Sequence, residues 1–282
     1  MTPGILAIDL DGTLLNGSGA LDPETKPLLD GIRRRGCEIV VSTGRTHSES
    51  VRFLEALDLD GVMIGSAGAV ISEVRTGRTI ECSVIPEGIL RGMLEGLLAH
   101  GHLIQLLQDV SSASHEYVLL GEASPHPATT WWLEHHGVSH MRSNSLDGLD
   151  LSHVLRANVI TDGHDLDGMV EEMTDAFGDA LVIRHWQAVT EVNSKDAWML
   201  EVFDRGVDKW SALERLLAGR GSSASDVVAI GDGLNDIGMI RGAGRGIAMG
   251  QAGASLRAVA DEVVSHRDQG GLTEALSMIL DA

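Results

Sequence analysis

The sequence predicts an α/β protein: an open parallel sheet flanked by helices, with a second domain inserted into its middle. Three observations carry this. Short apolar, β-branched runs alternate with helical stretches at both ends of the 282-residue chain, which is the grammar of βαβ units. Between about Pro86 and Ala188 histidine, tryptophan and polar residues rise, and the alternation loosens. A chain of this length is long for one core and comfortable for two domains. Core segments 1–85 and 189–282 are therefore expected to enclose an inserted domain at 86–188.

The elements follow in order. ILAIDL predicts a buried strand over Ile5–Leu10. Asp22-Pro23 reads as a helix start, Asp at the N-cap and Pro at the first helical position. That helix runs through about Arg35, and Gly36 can close it. CEIVVS, Cys37–Ser42, predicts a second strand, with a helix near Ser48–Ala56 behind it. GVMIGS, Gly61–Ser66, predicts a third, and AVISEVRTGRTIECSVI a hairpin turning at Thr76-Gly77. Past the insertion, VDKWSALERLLAGRG is an amphipathic helix ended by glycine. DVVAIGD, Asp226–Asp232, is a strand with an acid at its carboxyl end. RGIAMG and DEVVSH read as further short strands, and LTEALSMIL as a closing helix.

Composition removes several function classes. The formal net charge of −20 repels nucleic acid and anionic lipid, which demand a basic footprint. No apolar run approaches the roughly 18 residues of a membrane span. The N-terminus enters a strand pattern at once, so no leader and a cytoplasmic setting are expected. Cys37 and Cys82 sit in no metal-spaced motif and are expected as buried, reduced thiols. Lysine occurs three times only, at Lys26, Lys195 and Lys209.

Open parallel sheets bind ligands outside the carboxyl ends of their strands. Three such ends here carry polar chemistry: Asp9 and Asp11; Ser42 and Thr43; and Asp232, with Asn235 and Asp236 beyond it. Asp9 and Asp11 are two apart, so strand alternation aims both at one crevice. Converging carboxylates repel one another and raise their pKa values. A hard divalent cation removes the conflict, and Mg²⁺ suits it, with its preference for oxygen ligands and substrate phosphate. Lys209 and Arg45 can bring positive charge to that phosphate. Thr43 can bring a hydroxyl, and the turns at Gly12-Thr13 and Gly44 can bring backbone N–H groups.

The set Asp9-Leu10-Asp11-Gly12-Thr13, Ser42-Thr43-Gly44-Arg45, Lys209 and the GDGLND of Gly231–Asp236 resembles the four motifs of the haloacid dehalogenase superfamily. Gly206–Ala252 resembles its Cof-type phosphatases, whose large α/β cap matches the inserted segment in position and size. The resemblance implies a Rossmann-like parallel-sheet core with an inserted α+β cap. It implies Asp9 as nucleophile, forming an aspartyl-phosphate, and Asp11 as general acid and then base. Mg²⁺ is implied on Asp9, Asp11 (through its main-chain carbonyl) and Asp232, with Asp236 on a metal water and Asn235 orienting its neighbours. Thr43, Gly44, Arg45 and Lys209 are implied around the phosphate. Three positions depart from the pattern: Ala67, where the family often has Asn; Trp210, where it often has Gly; and Gln251, where it often has Asn.

These motifs imply a phosphatase for small phosphorylated metabolites, sugar phosphates foremost. A phosphomutase of the same superfamily and a silent metabolite-binding regulator are the alternatives. In the inserted segment, Arg184, His185 and Trp186 read as structural before substrate-facing, and His135, His136 and His140 as exposed histidines before zinc ligands. Trp131-Trp132 reads as core of that segment before an aromatic sugar platform.

Overall fold

The structure, a computed structural model, describes residues 3–162, 166–187 and 197–282. The first elements are β1 (Ile5–Ile8), α1 (Thr25–Arg34), β2 (Glu38–Ser42), α2 (His47–Ala56), β3 (Val62–Gly65), β4 (Val70–Glu73) and β5 (Thr79–Cys82). There follow α3 (Glu87–Ala99), β6 (Ile104–Gln108), β7 (Tyr117–Leu120), α4 (Pro127–His136), β8 (His140–Ser143), β9 (Val154–Asp162), α5 (Asp167–Phe177), β10 (Leu181–Gln187) and β11 (Ala197–Asp204). The chain ends with α6 (Lys209–Arg220), β12 (Val227–Gly231), α7 (Ile237–Gly242), β13 (Arg245–Ala248), α8 (Ala254–Arg257), β14 (Glu262–Val263) and α9 (Gly271–Asp281).

The residues up to Ile80 form one compact unit with Asp208–Ala282. Its sheet runs β14-β13-β12-β1-β2-β3-β4-β5. β12, β1 and β2 are parallel neighbours, with Ile5 beside Val227 on one side and Glu38 on the other. Alternation along these strands builds two cores. Leu6, Ile8, Ile39, Val41, Val228 and Ile230 pack with Leu29, Ile32, Leu276 and Ile279 of α1 and α9. Ile5, Ala7, Val40, Val227 and Ala229 pack with Leu213, Leu217, Met239 and Ile240 of α6 and α7. Strand order reverses at β1, and such a switch point leaves a crevice at the carboxyl ends of the strands.

Glu81–Val207 forms the second unit. Its sheet runs β10-β11-β9-β6-β7-β8 and is antiparallel except for the β7–β8 pair. One face packs against α3 and α5 through Leu90, Met93, Leu94, Leu97, Met169 and Met173.

Three boundaries differ from the sequence reading. The second unit extends to Val207 instead of closing at residue 188. β11, assigned above to the core, lies between β9 and β10, with Leu200 beside Val159 and burying Leu200 and Val202 in the second unit's own core. β1 stops at Ile8, and the chain turns tightly over Leu10–Leu14. α1 begins at Thr25 instead of Pro23. Asp22 is not its cap, because its carboxylate is taken by Arg267 and Asn16. No described helix is long and apolar enough to cross a membrane.

Candidate active site

The carboxyl ends of β1, β2 and β12 deliver the polar residues expected of them. The Asp9 N–H donates to Ile230 O at 3.0 Å, tying the first acid to β12. Asp9 is 5% exposed and Asp236 fully buried. Lys209 opens α6, whose N-terminus is fixed by an Asp208–Ser211 capping box. Its fully buried ammonium donates to Asp9 Oδ1 at 2.5 Å and to Asp236 Oδ1 at 2.6 Å. The other oxygen of Asp236 accepts from the N–H groups of Asp232 (3.0 Å) and Gly233 (2.8 Å).

One carboxylate oxygen each from Asp9, Asp232 and Asp236 lies within 4.8 Å of the others. Burial raises the Asp9 carboxyl well above the usual carboxylate range; Asp236, Asp232 and Asp11 add to the rise and Lys209 offsets part of it. Burial and Asp236 push Asp232 up to about 6. Burial works against the charge on Lys209, yet Asp236 and Asp9 hold it above the ordinary lysine range. Three hard oxygen donors with one ammonium among them are chemically suited to a divalent cation of the Mg²⁺ type.

The Asp11 carboxylate is outside this group of three. Strand alternation does not place it, because the chain has already left the strand: Gly12 stands at φ +74°. Asp11 is half-exposed and meets Arg45, which forks onto it at 2.8 Å (Nε) and 2.5 Å (Nη2). Arg45, read from the sequence as a phosphate donor, thus neutralises the second acid of the first motif. Thr43 is fully buried, and its hydroxyl accepts the Arg45 N–H at 3.1 Å. A Cβ built on Gly44 would lie 3.9 Å from the Asn235 amide, so the second and fourth motifs meet there.

Ser66, Ala67 and Gly68 follow β3 with positive φ at all three positions. The Ser66 and Ala67 N–H groups donate to Arg45 O and Thr43 O, both at 2.9 Å. A Cβ on Gly68 would stand 2.1 Å from Asp208 O, so only glycine allows this loop to press against the helix start that carries Lys209.

Sequence reading missed Gln251 and Arg267 as contributors. Gln251 Nε2 donates to Gly12 O at 2.7 Å and to Asp232 Oδ2 at 3.3 Å. Its departure from the family pattern was the available signal. Nothing in the sequence marks Arg267, a buried arginine bound to the carbonyls of Thr13 and Leu14.

In the second unit, Arg184 donates to Val207 O at 3.0 Å and covers the Phe203 ring, while the His185 ring packs on Trp198. Trp131 and Trp132 are half-buried, the first stacked on His135 and the second tilted against His136, instead of joining the core, which corrects the expectation for that pair. His135 and His140 are exposed, and His136 is half-buried against Trp132. Cys37 is buried and Cys82 only half-buried; burial pushes the Cys37 thiol up to about 12.

Comparison with known proteins identifies the class. The haloacid dehalogenase-like hydrolase profile matches residues 6–276, and the chain belongs to that family. Phosphatase YwpJ of Bacillus subtilis (strain 168) is 26% identical over 98% of this chain and 99% of its own. The 5-amino-6-(5-phospho-D-ribitylamino)uracil phosphatase YcsE of the same organism is 25% identical over 96% of this chain and 94% of its own. A crystal structure of a haloacid dehalogenase-like hydrolase from Bacteroides thetaiotaomicron shares the fold, with a TM-score of 0.79 at 23% identity, covering 98% of this chain and 99% of that one. Family and full-length phosphatase relatives together make the protein an enzyme of the phosphoric monoester hydrolase class.

Proposed function

We propose that the protein is a Mg²⁺-dependent phosphatase acting on small phosphorylated metabolites, sugar phosphates foremost, through an aspartyl-phosphate on Asp9. The observation that carries the reading is the group of Asp9 and Asp236, buried around Lys209, with the partly buried Asp232, beside Asp11 and Thr43 at the carboxyl ends of adjacent strands. YcsE, named for a substrate with a phosphorylated sugar-alcohol chain on a uracil, supports the substrate class.

In this reading a carboxylate oxygen of Asp9 attacks phosphorus, and the bond to the leaving oxygen breaks. Asp11 gives that oxygen its proton, so the alcohol leaves neutral. Asp11, now a carboxylate, takes a proton from water as the water attacks the same phosphorus. Asp9 is thereby freed and inorganic phosphate released. Arg45, forked on Asp11, fixes the orientation of that group. Lys209 and the Thr43 hydroxyl bind phosphoryl oxygens and offset the charge that develops there. Asp9, Asp232, the Asp11 carbonyl and, through water, Asp236 would hold Mg²⁺. When bound, it neutralises the acids and polarises the phosphoryl group.

The Glu81–Val207 unit would act as the cap that selects the leaving group and excludes water. The two free thiols fit a reducing, cytoplasmic setting. Phosphate release from p-nitrophenyl phosphate tests the reading. Turnover with Mg²⁺ that EDTA abolishes is expected; no release under either condition would remove it.

A further inference from the structure

Three consecutive main-chain carbonyls follow Asp11: Gly12, Thr13 and Leu14. Each takes a side-chain donor from the far end of the chain. Gln251 Nε2 reaches Gly12 O at 2.7 Å. Arg267 reaches Thr13 O through Nε at 2.5 Å and Leu14 O through Nη2 at 2.6 Å. The two donors are joined, since the Arg267 N–H donates to Gln251 Oε1 at 2.9 Å. The second amide hydrogen of Gln251 reaches Asp232 Oδ2 at 3.3 Å, and Thr13 Oγ1 reaches Oδ1 of the same carboxylate at 3.3 Å.

This network leaves no freedom in the amide. Turning it over would set Oε1 against Gly12 O and Asp232, and would aim its N–H groups at the Arg267 N–H. Arg267 is 2% exposed, and Asp22 meets its charge at 2.5 Å. A buried guanidinium is costly unless its hydrogen bonds are made. Here they are spent on a stretch whose own geometry is irregular: Asp11 and Gly12 both leave helical φ/ψ, so these carbonyls need outside donors.

We propose that Gln251 and Arg267 are positioning residues, a clamp that sets the Asp11 loop and the Asp232 carboxylate in register for a divalent cation. The inference rests on the phosphatase reading for what the register serves. Neither residue touches the reacting atoms. They act through Gly12, Thr13 and Asp232, as the outer partners of metal-binding groups commonly do.

Gln251→Met keeps the side chain's length and removes both donors and the acceptor. Mg²⁺ binding to the substrate-free protein is measured by calorimetry, and kcat and KM with p-nitrophenyl phosphate across a Mg²⁺ series. The expected result is a fall of about tenfold or more in Mg²⁺ affinity and kcat, with KM within about twofold, because no substrate contact is lost. Mg²⁺ affinity and kcat within about twofold of the parent protein, whatever the change in Tm, would overturn the clamp. Should Gln251→Met not fold, Arg267→Lys carries the same comparison. It keeps the charge opposite Asp22 but lacks the fork needed to serve both carbonyls. Calorimetry separates the two claims. A parent protein that binds Mg²⁺ but releases no phosphate loses the phosphatase reading while the clamp stays measurable; one that binds no Mg²⁺ loses both.

Discussion

Lys209 and Asp9, 200 positions apart in sequence, form a buried ion pair with Nζ 2.5 Å from Oδ1. The same ammonium also serves Asp236. One positive charge therefore holds together a group of acids that would otherwise repel, and its removal is not a local event.

Lys209→Met should leave the acids without a counter-charge. Breaking a buried pair by deleting one partner costs about 3–5 kcal/mol. Urea unfolding in EDTA should show a loss of that order, and Mg²⁺ should narrow the gap by supplying the missing charge. Equal stability of variant and parent in EDTA would show that the ammonium does not hold the acids together.

The raised acids fix a pH dependence for the metal-free protein. Asp232, pushed up to about 6, and Asp9, also raised, bind more protons folded than unfolded. Their contribution is fully present below the unfolded carboxylate value and is lost as pH rises through the folded one. Stability in EDTA should therefore fall from about pH 4 through about pH 6 on this account. Mg²⁺ competes with those protons, so the rise in Tm that it produces should be small at pH 5 and grow toward pH 7.5. Thermal melts at a series of pH values, with Mg²⁺ and with EDTA, check both signs.

Gly12→Ala should damage site and fold together. The position stands at φ +74°, and a Cβ there would lie 2.3 Å from Asp232 Oδ2. Left-handed backbone alone costs a non-glycine residue roughly 1–2 kcal/mol, and the carboxylate must also move. Phosphate release should fall at least tenfold, roughly the loss expected when a metal-binding acid is displaced, and Tm should drop in the same samples.

Ala67→Gly should do the opposite to stability. Ala67 is buried at φ +56°, next to Ser66 at φ +49°. Glycine relieves the strain at the cost of a more flexible unfolded chain, for a net gain of up to about 1 kcal/mol. Urea unfolding resolves that difference.

The sequence made the site legible wherever local pattern and chemistry coincide. Asp9 and Asp232 each end an apolar run, and Lys209 opens a helix with a recognisable cap. The hairpin at Thr76-Gly77 and the glycine stop at Gly221 were equally local and are present. What escaped depends on distant partners. Asp22 looks like a helix cap until Arg267, 245 positions on, takes its carboxylate. Strand alternation misplaced Asp11 because β1 ends at Ile8 and the chain turns at Gly12, packed close against the distant Asp232. β11 falls in the core segment on sequence because the polar, histidine-rich texture of the insertion ends near Ala188, and only pairing with β9 and β10 places the strand in the second unit.

The most direct measurement compares phosphate release by the parent protein and by Asp9→Asn, with saturating Mg²⁺ and matched folding by circular dichroism. Asparagine keeps the shape of the side chain and leaves Lys209 paired with Asp236, but it cannot accept the phosphoryl group as a carboxylate does. Loss of turnover by about a thousandfold or more in a folded variant is the expected result. A folded Asp9→Asn protein with near-normal turnover would contradict the assignment of Asp9 as the nucleophile.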